Sequence, residues 1–182
     1  MLNKIAVFIE HRLPARNEMF LALSMAAFLV FTWTLRALFF NFPAFMLSYS
    51  MGEILVIAAY MLAFALLETL LVMMVMVFLA ALLPGVLLKD GFSYKASFFF
   101  IAFAVISIHL QYIMTNQPKI SFLAIELVRA LILWLVPVLL VQFIRILRRI
   151  VMDILDRLTI FSYIYIPLGA ISLLVVLIRL IW

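Results

Sequence analysis

The sequence predicts an all-α integral membrane protein, a bundle of five transmembrane helices with short interfacial amphipathic helices. Three observations predict it. Hydrophobic residues fill 70% of the 182 positions and charged residues 12%. A soluble domain is roughly half apolar, and a chain this short keeps too much surface per unit volume to bury the excess. Much of the apolar surface must therefore meet lipid. The apolar residues also gather in five runs, each near the length of about 20 residues that a helix needs to cross a bilayer. Finally, the basic residues fall between the runs, which is the distribution of a membrane chain and not of a nucleic-acid face.

The chain opens with a segment, 1–18, in which Leu2, Ile5, Ala6, Ile9 and Leu13 recur at helical spacing. Lys4, Glu10, His11 and Arg12 lie mostly off that stripe. The pattern predicts a short helix on the membrane surface, ended by Pro14. The first long apolar run starts at Met19 with no cleavage site after it, so it reads as an uncleaved span.

The membrane domain, 19–182, is expected to hold spans at about 19–40, 54–83, 96–114, 120–144 and 160–181. Turn residues separate them. Asn41, Phe42 and Pro43 on one side and Met51 and Gly52 on the other bracket a first loop over 41–50. Its Phe42, Phe45, Met46, Leu47 and Tyr49 suit the bilayer interface. Pro84, Gly85, Asp90 and Gly91 bracket the second loop, and Asn116, Gln117 and Pro118 make the third. The run 53–83 would measure about 46 Å as one helix, longer than a hydrocarbon core of about 30 Å, so it must tilt, protrude or start late.

Five spans orient the chain. Of the thirteen basic residues, Lys4, Arg12, Arg16, Lys89, Lys95, Arg145, Arg148, Arg149 and Arg157 fall on one side. Lys119 and Arg179 fall on the other, and Arg36 and Arg129 lie within spans. The bias predicts a multi-pass protein of the cell membrane with its N-terminus cytoplasmic and its C-terminus outside.

The segment 145–158 is amphipathic. Arg145, Arg148, Arg149, Asp153, Asp156 and Arg157 share one side, and Ile146, Leu147, Ile150, Val151, Ile154 and Leu155 fill the other. Arg149 with Asp153 and Asp153 with Arg157 are opposite charges at i,i+4, each worth about 0.2–0.5 kcal/mol. An interfacial helix is expected, with Arg145, Arg148, Arg149 and Arg157 on lipid headgroups or a cytosolic partner. No glycine or proline separates it from span four, so it can continue that helix.

Ionisable residues inside spans are costly and are the functional candidates. They are Arg36, Glu68, His109, Glu126 and Arg129. Arg36, near the outer end of span one, can snorkel to the surface. Glu68 falls in mid-span and reaches neither surface, so it must be neutral, paired or facing water. A bond to Arg129 or Arg36 and a proton or cation role are its two readings. His109 suits a hydrogen-bonded packing role. Glu126 and Arg129, at i,i+3, are expected to pair on one face of span four. The run 120–141 within that span holds fifteen Leu, Ile, Val or Phe residues, each returning about 0.3–0.6 kcal/mol on insertion, against about 2.5–3.5 kcal/mol per charge. The apolar sum can just exceed the cost. Pro137 lies about 20° around the helix from Glu126, so kink and carboxylate face the same way.

Enzyme chemistry has little support. There is no cysteine, hence no disulfide, thiolate metal site or cysteine nucleophile. No phosphate loop, H-E-x-x-H or G-x-S-x-G is present. Two histidines leave a catalytic metal site short of its usual three ligands unless Glu68 and Glu126 join His109. No cofactor, metal or catalytic residue is expected. The partners expected are a bilayer with anionic headgroups, and another membrane protein or a second copy of the chain; nothing points to nucleic acid. The function expected is that of an accessory or scaffold subunit, acting through helix packing and the cytoplasmic arginine helix. A small transporter or channel subunit using Glu68, Glu126 and Arg129 is the alternative.

Overall fold

The computed structural model describes residues 13–83, 88, 90–116 and 122–181, and the side chains of these except 114–116 and 122–124. The surface helix expected over 1–18 lies outside them up to Arg12, as do Pro84, Gly85, Gln117 and Pro118 of the expected turns. Among the described residues there are five long helices: α1 (Arg16–Ser48), α2 (Met51–Leu82), α3 (Phe92–Asn116), α4 (Phe122–Phe143) and α5 (Arg145–Ile181). All five are long and apolar enough to cross a membrane.

Three boundaries differ from the sequence reading. The first concerns 41–50, expected as a loop. Here α1 runs through Pro43 to Ser48. Proline removes the amide that would bond the Phe39 carbonyl, yet the ladder resumes, with Tyr49 N–H donating to the Phe45 carbonyl at 2.9 Å. Asn41 Nδ2 donates to the Ala37 carbonyl at 2.8 Å. An apolar segment must satisfy its backbone internally when little water is at hand, and helices in such surroundings tolerate proline. What ends α1 is a capping box for α2. The Glu53 carboxylate accepts from the Ser50 amide at 2.8 Å and from the Ser50 hydroxyl at 2.9 Å. Ser50 Oγ in turn accepts the Glu53 amide at 3.5 Å.

The second difference concerns 145–158. This segment does not continue span four. It forms the first turns of α5, which runs unbroken through Pro167 to Ile181, about 55 Å at the standard rise. The break falls instead at Ile144, a single residue whose amide still bonds the Leu140 carbonyl at 2.9 Å and whose carbonyl accepts from Arg148 at 3.1 Å. The third is the start of α3 at Phe92, so Lys95 lies inside the helix and not in a connecting loop.

The helices divide between two compact units. The first comprises Met1–Ala22 and Val77–Arg157, the second Leu23–Met76 and Leu158–Trp182. In the first unit, the opening turns of α3 are buried all round: Phe92, Ser93, Tyr94, Lys95, Ala96 and Ser97 are each at most 4% exposed. Serine suits this because its hydroxyl can turn back on its own helix, as Ser97 Oγ does on the Ser93 carbonyl at 2.6 Å. α4 packs against α3, and its buried and half-buried Glu126, Trp134, Val138 and Val141, spaced three, four and eight residues apart, share one face. Trp134 Nε1 donates to the Lys95 carbonyl at 3.0 Å, and its ring meets Phe99 edge-on at 6.2 Å.

The second unit has a core of Ala27, Phe31, Leu62, Ala65 and Leu66, with Tyr165, Ile166 and Leu173 packed against it. Phe31 stacks on Tyr165 at 5.0 Å, and Phe28 meets Phe161 at 5.0 Å. Gly169 lies where a Cβ would come within 2.9 Å of both Leu66 Cβ and Phe31. Helices in an apolar solvent associate through close van der Waals packing, which small residues permit.

Candidate functional site

The five intramembrane candidates separate into three situations. His109, Glu126 and Arg129 come together in the first unit. Glu126 is 2% exposed, at the start of the buried face of α4. Its Oε1 accepts from Arg129 Nη1 at 2.6 Å. The same nitrogen lies 3.2 Å from His109 Nε2 on α3, and His109 Nε2 is 3.6 Å from Glu126 Oε1. Arg129 and His109 are 54% and 43% exposed. The expected pair therefore forms with the carboxylate inside and the guanidinium tip reaching it from the surface. Glu126 Oε2 is buried with no hydrogen-bond partner among the described residues. An unsatisfied buried polar atom is rare enough to need a reason. Pro137 shares the side of α4 that turns inward and is half-buried, as its angle to Glu126 requires.

Arg36 and Glu68 belong to the second unit. Arg36 is exposed on α1 and lies over the Trp33 ring, 5.1 Å from its centroid, a cation–π contact worth about 0.5–1 kcal/mol at an exposed site. Glu68 sits near the middle of α2, exposed, with no hydrogen bond or ion pair among the described residues. Within this unit, the bond to Arg36 weighed for it does not form. Glu68 instead borders an open groove of about 540 Å³ between α1 and α2, walled by Trp33, Ala37, Tyr60, Met61 and Phe64. Among the described residues no three His, Asp or Glu side chains are placed to hold a metal ion.

The arginines of α5 are all exposed. Of the two expected i,i+4 pairs, Arg157 Nε donates to Asp153 Oδ2 at 3.1 Å. Arg149 forms no ion pair among the described residues. The apolar side of this stretch is not wholly covered: Leu155 is buried, whereas Ile146, Ile150 and Ile154 are exposed.

A second polar cluster in the first unit escaped the sequence reading. Lys95, counted there as a loop cation, is 4% exposed. Among the described residues, Glu18 and Asp90 are the acidic groups and Arg148 the basic one in electrostatic reach of it. Lys95 Nζ and the Arg148 guanidinium each lie 5.9 Å from the Tyr94 ring centre. Glu18 accepts the Phe92 amide at 2.8 Å. A signal did exist: Gly91-Phe92-Ser93-Tyr94-Lys95 opens an apolar run with polar residues too dense to face lipid. No family model, curated protein or solved structure matches the chain.

Proposed function

We propose that the protein is a multi-pass accessory or scaffold subunit of the cell membrane, with its N-terminus cytoplasmic and its C-terminus outside. In this reading the groove between α1 and α2 receives a transmembrane helix of a partner membrane protein that carries a lysine or arginine. One observation carries it: Glu68 is exposed near the centre of an apolar helix and meets no cation among the described residues. A carboxylate facing hydrocarbon is costly unless neutralised or paired. A basic side chain from a partner, laid along the aromatic wall of the groove, satisfies it. Arg145, Arg148 and Arg149, all exposed on α5, then serve anionic headgroups on the cytoplasmic face.

The test is purification from the native membrane in mild detergent, with a photocrosslinking residue at Phe64. The reading expects a stoichiometric membrane protein, crosslinked through a transmembrane segment that contains Lys or Arg, and loss of most of that adduct in Glu68→Gln. A chain that elutes alone, or that crosslinks only to lipid or to its own copies, overturns it. The transporter or channel alternative draws on a different observation, the unpartnered Oε2 of Glu126. It expects a proton or ion flux in liposomes that Glu126→Gln abolishes while the protein stays folded.

A further inference from the structure

Arg129 Nη1 is shared by two acceptors, Glu126 Oε1 at 2.6 Å and His109 Nε2 at 3.2 Å. A guanidinium has donors only and does not lose its proton in proteins. Nε2 must therefore be the acceptor, so the ring is neutral with its proton on Nδ1. The arrangement ties α3 to α4 through one nitrogen. It leaves Glu126 Oε2 buried and unsatisfied among the described residues, and it places the imidazole, 43% exposed, at the open side.

We propose that these three side chains form a proton-binding site, in which a proton taken up at His109 Nε2 exchanges Arg129 for His109 on the Glu126 carboxylate. Once protonated, Nε2 is a donor and can no longer face the N–H of Arg129. The acceptor within reach is Glu126 Oε1, 3.6 Å away. A small rotation of the imidazole brings it into hydrogen-bond range. The imidazolium then supplies the charge that balances Glu126. The guanidinium, already 54% exposed, is released on the outer face of α4. The cluster's net charge passes from zero to +1, and no bond other than N–H is made. Among the described residues, the ionisable groups in contact with the imidazole are Glu126 and Arg129 from α4; Tyr112, one turn further along α3, is exposed. The site rests on no partner and on no flux.

The experiment uses the full chain with His11→Gln, so that His109 is the one imidazole. The protein is ¹⁵N-labelled in phosphatidylcholine nanodiscs, and its histidine and arginine side-chain resonances are followed over roughly pH 5–8. The proposal expects the Nδ1–H tautomer at high pH. It expects the Arg129 side-chain resonances to shift with the same midpoint as the imidazole. In Glu126→Gln, which has no charge for the imidazolium to balance, the two shifts separate. An Nε2–H tautomer at high pH overturns it. So does an imidazole that titrates while Arg129 stays unmoved, as a fixed structural pair would, or one that does not titrate at all. If Glu126→Gln fails to fold, the tautomer and the shared midpoint in the His11→Gln protein decide the matter alone.

Discussion

Glu18 caps a helix that begins 74 positions later: its Oε2 accepts the Phe92 amide at 2.8 Å. Helix α3 needs this help because the residue before it, Gly91, has no side chain to offer and holds φ at +71°. A first-turn amide that would otherwise be unsatisfied is met by a carboxylate, which also suits the positive end of the helix. Glu18→Ala should lower stability by about 1–2 kcal/mol, the upper part of the range for caps. Thermal denaturation in detergent, followed by size-exclusion recovery, measures this. Glu18→Gln, which keeps an acceptor, should lose less.

Gly91→Ala should be the more damaging change. A left-handed φ costs an L-residue about 1–2 kcal/mol, and the added methyl would run into the Tyr94 ring. The ring cannot withdraw freely, since Tyr94 is 4% exposed. The same melting measurement should place this variant below Glu18→Ala.

Gly169→Leu should disrupt the second unit. Its side chain would enter the space of Leu66 Cβ and Phe31, neither of which is the loose end of a flexible chain. Overpacking of this kind costs about 1–3 kcal/mol or more. Gly169→Ala should be milder, and the pair should differ in the fraction recovered as a folded species after mild heating.

Trp134→Phe removes the bond from Nε1 to the Lys95 carbonyl while keeping most of the ring contact with Phe99. A hydrogen bond of this type contributes about 0.5–1.5 kcal/mol, and the melting temperature should fall accordingly.

Arg157→Gln should barely change stability. The Arg157 and Asp153 side chains are 79% and 62% exposed, and such i,i+4 pairs return about 0.3–0.5 kcal/mol at most. A shift in melting larger than that would show that Arg157 is engaged elsewhere.

Composition and periodicity by themselves determined that the chain forms five long apolar helices, because the need for about 20 apolar residues per span and for turn residues between spans is a local constraint. They also placed Glu126 and Arg129 within reach of each other, since residues three apart on a helix are neighbours whatever surrounds them. The Ser50–Glu53 capping box is a local spacing as well, yet the sequence reading, with its loop over 41–50, does not name it. Other features were not legible in the sequence. The fusion of 145–158 with span five, and the passage of α1 through Pro43, depend on how the backbone bonds are satisfied in an apolar setting, and residue type alone does not decide that. The meeting of His109 with Arg129, 20 positions away, the burial of Lys95, and the cap that Glu18 lends to α3 are contacts between distant parts of the chain. No spacing rule encodes them; only the packing of one helix face on another brings those groups together and decides which charge is buried and which is left open.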